Sequence, residues 1–456
     1  MSGLTAATPA EELQEGFSGQ VLTPASPGYD EARRVHNGLI DKRPALIARC
    51  LSTADVVDAV GFAGRHDLEV SVRGGGHNVA GRAVTDGGLM IDLAPMKGMH
   101  VDPSRRTARA QGGVTLREYN RAAGVFGLAT PGGVVSTTGI AGLTLGGGHG
   151  WLMGRYGLAI DNLLSAEVVL ASGDVVTAAD DTEPDLFWAI RGGGGNFGVA
   201  TWLEYRTHPL ASVLGGPVLH PLAAATEVLA FYRDLAPTLP DELTIQAAFL
   251  HAPDGSGTKV CAIAVCHAGD DHDAAEAAVR PVRTLGAPIG DLIERMPYAR
   301  LNTLLDDVFP RDALNYWKSA FLADLSDAAI DTLVDAFQDT PSDMCAVALE
   351  AFHGAVTRVD PSATAYPHRQ PGHDLIIASQ WARPEQTEAG IAWARDTFAA
   401  LGPHLAPRSY GNYLAADDDD RVRQAYGANY DRLAAVKRRY DPDNVFHLNP
   451  NVAPAA

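Results

Sequence analysis

The chain has 456 residues, of which 46% are hydrophobic and 20% charged, with a formal net charge of −19. This composition is globular rather than disordered, and the length allows two or three domains with ample cores. The acidic balance argues against nucleic acid and anionic membranes as partners and says little about a small-molecule substrate.

The first stretch, "MSGLTAATPAEELQEG", lacks the basic start and apolar run of a secretory leader. No run reaches the ~18 apolar residues of a membrane span. Cys50, Cys261, Cys266 and Cys345 are too few for a disulfide framework. On a strand, the odd spacing of Cys261 and Cys266 sets them on opposite faces, against a shared metal. A reduced, cytoplasmic protein is expected.

"ALIARC", Ala45 to Cys50, predicts a strand, and "STADVVDAVGFAGRHD" a helix. Ser52 and Asp55 have capping-box spacing, and Val56, Val60 and Ala63 share one helix face. "LEVSVRGGGH" predicts a strand running into Arg73-Gly74-Gly75-Gly76-His77. "GLMIDLAPM" and "RTARAQGG" predict strands, and "TLREYNRAA" a helix capped by Thr115 and Glu118. "AEVVLASGDVVTA" predicts a hairpin turning at Ser172-Gly173-Asp174. Further on, "KVCAIAVCH" and "LIIASQWA" predict strands, and "DAAEAAVRPVRTLG" and "IAWARDTFAALG" helices with glycine after their ends.

"VALEAFHGAV" predicts a strand with Val347, Leu349 and Ala351 on one face and Ala348, Glu350 and Phe352 on the other. A glutamate inside such an apolar strand is unusual. Burial would raise its pKa toward that of a general base working near neutral pH. "RVRQAYGANYDRLAAVKRRYDPDN" predicts helix as far as Asp441-Pro442, and the acidic run Asp417–Asp420 reads as its solvated N-terminus, favoured by the helix dipole.

No internal repeat is present. Glycine clusters crowd the segment from Arg73 to Gly198 and thin out after Leu210, which divides the chain into a glycine-rich binding part and a conventionally packed part. Gly193–Gly198 matches G-x-G-x-x-G, but a helix pattern precedes it and a strand pattern follows, the reverse of a Rossmann loop. No Walker, H-E-x-x-H or G-x-S-x-G motif occurs. Consecutive glycines at a strand end let backbone N–H groups surround an anion, and a pyrophosphate is the natural candidate. His77, directly behind them, reads equally as a loop histidine held by hydrogen bonds or as a catalytic or cofactor-linked one. No partner at ligand spacing supports a metal, and none is expected.

Several ordered motifs then converge. "VSVRGGGHNVAG", "GGLMIDLAPMKGMHVD", "GLTLGGGHGWLMGRYGLAIDNLLSAEVVLASGDVV", "DLFWAIRGGGGNFGVAT" and the closing "YDPDNVFHLNPN" resemble the FAD-linked oxidases of the berberine-bridge-enzyme type, in the vanillyl-alcohol oxidase superfamily. The resemblance covers nearly the whole chain. It implies an α+β, two-domain PCMH-type FAD-binding fold. The FAD-binding domain would span 1–208 with its core at about 40–208, an antiparallel-sheet cap 209–408, and a C-terminal segment, 409–456, would return to the first domain.

The resemblance also implies roles. His77 matches the histidine bonded covalently to the flavin 8α-methyl. A second attachment, through cysteine in G-x-C-x-x-x-G, is not expected, because Val135 occupies that position in "GGVVSTTGIAG". The family pattern carries FAD contacts onto Arg73, Gly74, Gly75, Gly76, Asn78, Gly81, Gly133, Thr138, Gly139, Gly142, Gly148, His149, Tyr156, Gly157, Val199, Asn449 and Asn451. A small residue at Gly133 leaves a path for O₂ and favours an oxidase releasing hydrogen peroxide.

Glu350 and Tyr413 (in "SYGNYLAADD") match the family's active-site carboxylate and tyrosine, and either or both would take the substrate's proton. The Lys-x-Glu-x-Glu pattern of bacterial amine-oxidising members reads Ala348-Leu349-Glu350-Ala351-Phe352 here. Tyr316 and His353 are further candidates for pocket lining, whereas "AYPHR", Tyr366 to Arg369, reads as structural. The expected activity is oxidation of a small alcohol, phenol, polyketide, sugar or cyclic amine by a monomer or homodimer, with oxidative cyclisation or monooxygenation as the alternative. A non-enzymatic flavin carrier is a third reading.

Overall fold

A computed structural model describes residues 8–252 and 255–456. The first seven residues of the stretch read for a leader lie outside the described residues.

The Ala45–Cys50 run forms the strand Leu46–Arg49. It and Val70–Arg73 flank Leu89–Asp92, both in parallel, and Gln20–Leu22 adds an antiparallel edge. Parallel strands need crossovers, and the helix Thr53–Arg65 provides one. Ser52 and Asp55 form its capping box, and Val56, Val60 and Ala63 pack into the core against the sheet. The second sheet is antiparallel, in the order Met99–Asp102, Thr107–Gln111, Val199–Arg206, Leu163–Val169, Val175–Ala179. Its last two strands are the expected hairpin. The helix Pro184–Ile190 does precede "GGGGNFG" and the strand Val199–Arg206 does follow it, as the rejection of a Rossmann loop requires.

Residues 213–381 supply the eight-stranded sheet. Its centre is the antiparallel run Lys259–His267, Leu243–His251, Ala346–Phe352, Gly372–Trp381, Leu314–Phe321. Helices Ala225–Leu235, His272–Arg283, Asp327–Gln338 and Thr387–Ala400 cover one face. Val347, Leu349 and Ala351 point into that core, as their alternation requires. Cys261 packs there too, while Cys266 packs on the opposite side beside Trp151 and Tyr298. All four cysteines are buried and free. No helix among the described residues is long and apolar enough to cross a membrane.

The C-terminal segment differs from its sequence reading. The helix is broken into Val422–Tyr426 and Tyr430–Tyr440 by Gly427, whose φ of 48° suits glycine. The second helix places the fully buried Lys437 ammonium on Asp441 and on the carbonyls of Asn196 and Phe446, which ties the tail to the "GGGGNFG" loop.

The acidic run is not a solvated helix start. Asp418 is buried 2.7 Å from Lys318 Nζ, and Asp417 pairs with both Lys318 and Arg395. Lys318 belongs to the eight-stranded sheet, so this pairing clamps the segment carrying Tyr413 onto it. Burying Asp418 beside an uncharged residue is costly, so Lys318→Met should cost about 3 kcal/mol or more. The check is the thermal unfolding midpoint; an unchanged midpoint would show the clamp to be dispensable.

Candidate active site

A long cleft, about 1810 Å³ of space partly open to solvent, runs between the glycine loops and the uncovered face of the eight-stranded sheet. One end is backbone. Gly74–Asn78 meets Thr138, Gly139 and the short helix Ile140–Gly146, and segments 192–200 and 446–450 close the side. Gly75 and Gly139 approach so closely that a Cβ on either would overlap the other's backbone nitrogen. Gly76 turns at φ 69°, which brings His77 back to the wall.

His77 is half-buried. Its ring stacks on His36 at 3.8 Å, and Nε2 lies 3.3 Å from Thr137 Oγ1. Burial, and then the second imidazole, push it down to about 3, so the ring is neutral near pH 7 and its free nitrogen is nucleophilic.

The expected residues fall into two groups. Gly74, Gly75, Gly76, His77, Asn78, Gly133, Thr138, Gly139, Gly142, His149, Val199, Glu350, Tyr413 and Asn449 line the cleft. Six others support it from behind. The Arg73 guanidinium makes a bidentate pair with Asp92 at 2.9 and 2.6 Å and donates to Arg34 O, pinning the loop rather than entering the cleft. Gly81 abuts Ile40, and Gly148 donates its N–H to Tyr410 OH. Tyr156 stacks on His208, Gly157 caps a short helix against Asp161, and Asn451 keeps a buried, unpartnered Oδ1 near the tail. Tyr316 instead bonds Asp417 and Arg395, and both ring nitrogens of His353 are buried without partners beside Gly154.

The other end of the cleft is a sheet face. Register sets Gln246, Glu350 and Asp374 side by side across three strands. Ala348 and Ile376 form the next row, and Trp317, Phe309, Leu305 and Tyr413 complete an apolar wall. Glu350 is 1% exposed; Gln246 Nε2 donates to its Oε1 at 3.3 Å. His149 Nδ1 lies 3.2 Å from Glu350 Oε2 and 3.3 Å from Asp374 Oδ2, while its Nε2 lies 2.8 Å from Tyr366 OH. The ring stacks on Tyr410 at 3.6 Å.

Burial opposes a charge on His149, but the two carboxylates outweigh it and raise its pKa. Burial pushes Asp374 up to about 6 against the pull of His149. Burial, reinforced by Glu350, holds the Tyr413 phenol well above its ordinary range. Tyr366, buried, holds His149 Nε2 without lining the cleft. Gln246 and Asp374 escaped the sequence reading: neither belongs to a motif, and Asp374 sits at the edge of an apolar run, where an aspartate reads as a flanking residue.

The donor set fits FAD. The loops present backbone N–H groups without Cβ obstruction, and Arg82 Nε, on the cleft wall, is a buried donor with no partner. Residues 44–179 match the FAD binding domain family, and residues 409–453 match the family described as berberine and berberine like. The chain is 34% identical over 450 residues to (R)-6-hydroxynicotine oxidase of Paenarthrobacter nicotinovorans, covering 96% of this chain and 97% of that enzyme. An FAD-linked oxidoreductase of Dictyostelium discoideum is 29% identical over 449 residues, covering 97% and 96%.

The crystal structure of 6-hydroxy-D-nicotine oxidase from Arthrobacter nicotinovorans superposes with a TM-score of 0.89 at 32% identity, over 99% of this chain and all of that one. Chitooligosaccharide oxidase shares the fold, with a TM-score of 0.84 at 24% identity over 98% of this chain. The expected PCMH-type architecture is the one observed, and the chain belongs to the berberine-bridge-enzyme-like family of FAD-dependent oxidoreductases.

Proposed function

We propose that the protein is an oxidase carrying FAD bonded covalently through His77 alone, which oxidises a small, mainly apolar alcohol, phenol, polyketide or cyclic amine and passes the electrons to O₂, giving hydrogen peroxide. Bound FAD supplies a hydride acceptor and, once reduced, the electron donor to oxygen. Residues 1–208 and 409–456 hold it, and the cap, 209–408, covers the reacting end. The buried, unlinked cysteines suit a reduced, cytoplasmic setting.

One observation carries this reading: Glu350 stands on the cap face of the same cleft that His77 borders. Apart from Arg82, no other lining residue is an acid, a lysine or an arginine. His149 offsets the charge of Glu350, and the cap residues lining the cleft include no lysine or arginine, so nothing there would hold an anionic reacting end. Glu350 takes the proton from substrate O–H or N–H while hydride leaves the adjacent carbon. Tyr413, held protonated, serves as a hydrogen-bond donor rather than as a phenolate base. Trp317, Phe309, Leu305 and Ile376 exclude water and seat the apolar body.

The test is anaerobic mixing of the holoprotein with neutral aromatic alcohols, phenols and cyclic amines. Flavin bleaching by a member of the panel, then recovery on adding air with one equivalent of peroxide, is expected. No bleaching, or recovery without peroxide, would overturn the reading. Gly133 serves the oxygen half. A side chain there meets Leu143 Cδ1 and Leu116 Cδ1, both movable ends, so Gly133→Val should fold. It should slow reoxidation by air while leaving anaerobic reduction fast; equal reoxidation rates would remove Gly133 from the oxygen path.

A further inference from the structure

We propose that His149 and Asp374 hold Glu350 in its anionic form, as a buried triad of one imidazolium, one carboxylate and one protonated carboxyl whose shared proton resides on Asp374. The proposal rests on the reading of Glu350 as the base and assigns its two partners as positioning residues. It starts from charge. His149, Glu350 and Asp374 are 2%, 1% and 0% exposed, and one ring nitrogen and one oxygen of each carboxyl lie within 4.8 Å of one another. Two bare carboxylates that close cannot both be anionic without a large cost, and one imidazolium neutralises one of them. The arrangement with no net charge is therefore a cation, an anion and a neutral acid.

Hydrogen bonding decides which carboxyl keeps the proton. Glu350 accepts from Gln246 Nε2 on one oxygen and faces His149 on the other. Among the described residues Asp374 has no hydrogen-bond donor on either oxygen beyond the 3.3 Å approach of His149 Nδ1, and that nitrogen is shared with Glu350. The anion is thus better satisfied on Glu350.

The surroundings add little charge. Tyr366, Tyr410 and Tyr413 face the triad as protonated phenols, and Tyr232 lies behind the strand with its hydroxyl on Leu349 O. Arg408 acts on Asp374 only at a distance, its guanidinium resting over the Phe321 ring. Phe352 and Phe321 close the apolar side around His149. The second carboxylate that the Ala346–Phe352 strand lacks at Phe352 thus arrives from the neighbouring strand as Asp374.

Two measurements on the holoprotein test this. The first is the pH dependence of anaerobic flavin reduction by whichever substrate bleaches it. His149→Phe keeps the ring packing and removes the cation, so proton loss from the remaining carboxyl pair becomes harder. The acid limb should move up by about one pH unit or more. Asp374→Asn puts a neutral amide in place of a neutral acid, so the limb should stay within about half a unit. An unmoved limb in His149→Phe, or a downward shift of about one unit or more in Asp374→Asn, would overturn the proposal, the first by denying the cation and the second by making Asp374 the anion.

The second needs no substrate: the infrared C=O stretch of a buried protonated carboxyl in the resting holoprotein at pH 5. It should shift when aspartate is labelled with carbon-13 at its side-chain carboxyl and stay in place when glutamate is so labelled. The reverse pattern would overturn the assignment even if Glu350 proved to be the base. If Glu350→Gln left reduction unimpaired, the base reading would fail while the infrared bands still decided the triad. If His149→Phe did not retain flavin, the unmoved limb of Asp374→Asn and the infrared bands would decide. One equivalent of a divalent metal in the purified holoprotein, lost in Asp374→Asn, would replace the triad with a metal centre.

Discussion

Replacing Glu350 by glutamine should slow anaerobic flavin reduction by about 100-fold or more, the contribution of a positioned general base. Glutamine keeps the side-chain length and can still bond Gln246, so the strand and its pocket should persist. What it removes is the proton acceptor on the cap face of the cleft. Stopped-flow absorbance under nitrogen reads the effect directly and separates it from the oxygen step. A reduction rate within a few-fold of the unaltered protein would move the proton to another acceptor. Tyr413→Phe is the companion measurement. Because the phenol is held protonated, its loss should weaken substrate binding more than it lowers the limiting reduction rate.

Replacing His77 by alanine should release the flavin from the denatured protein. Acid precipitation of the unaltered protein should leave the yellow colour in the pellet, and the alanine variant should leave it in the supernatant. His77 is half-buried, neutral and bordered by the glycine loops, the expected alternative position holds the aliphatic Val135, and none of the four buried cysteines lines the cleft. The proposed attachment through His77 would also place an electron-withdrawing imidazole on the flavin, so the variant should show a lower reduction potential as well as a free cofactor. Free flavin from the unaltered protein would end the covalent reading.

Much of this was legible along the chain. The motif at 73–77, the alternation at 346–352 and the reversed order around "GGGGNFG" each depend on residues close in sequence, where a backbone rule applies directly. The same locality placed Cys261 and Cys266 on opposite faces, as observed. Local rules failed where a long-range partner overrode them. Asp417 and Asp418 read as a solvated helix start because nothing nearby in sequence is basic enough to claim them; Lys318, about a hundred residues earlier, does so. Arg73 belongs to the flavin motif by position, yet its side chain serves Asp92 across a parallel strand pair.

The candidate site divides in the same way. The sequence by itself determined the family, the cofactor, the histidine beside the glycine turn and the face on which Glu350 lies, because motifs and a period of two residues are properties of contiguous backbone. Only the tertiary structure decided what stands next to Glu350. Gln246, Glu350 and Asp374 form one row because three antiparallel strands fall into that register, and His149 reaches the row from a loop two hundred residues away. Register and docking are fixed by the packing of the whole sheet against its helices, so no local pattern encodes the charge environment of the proposed base.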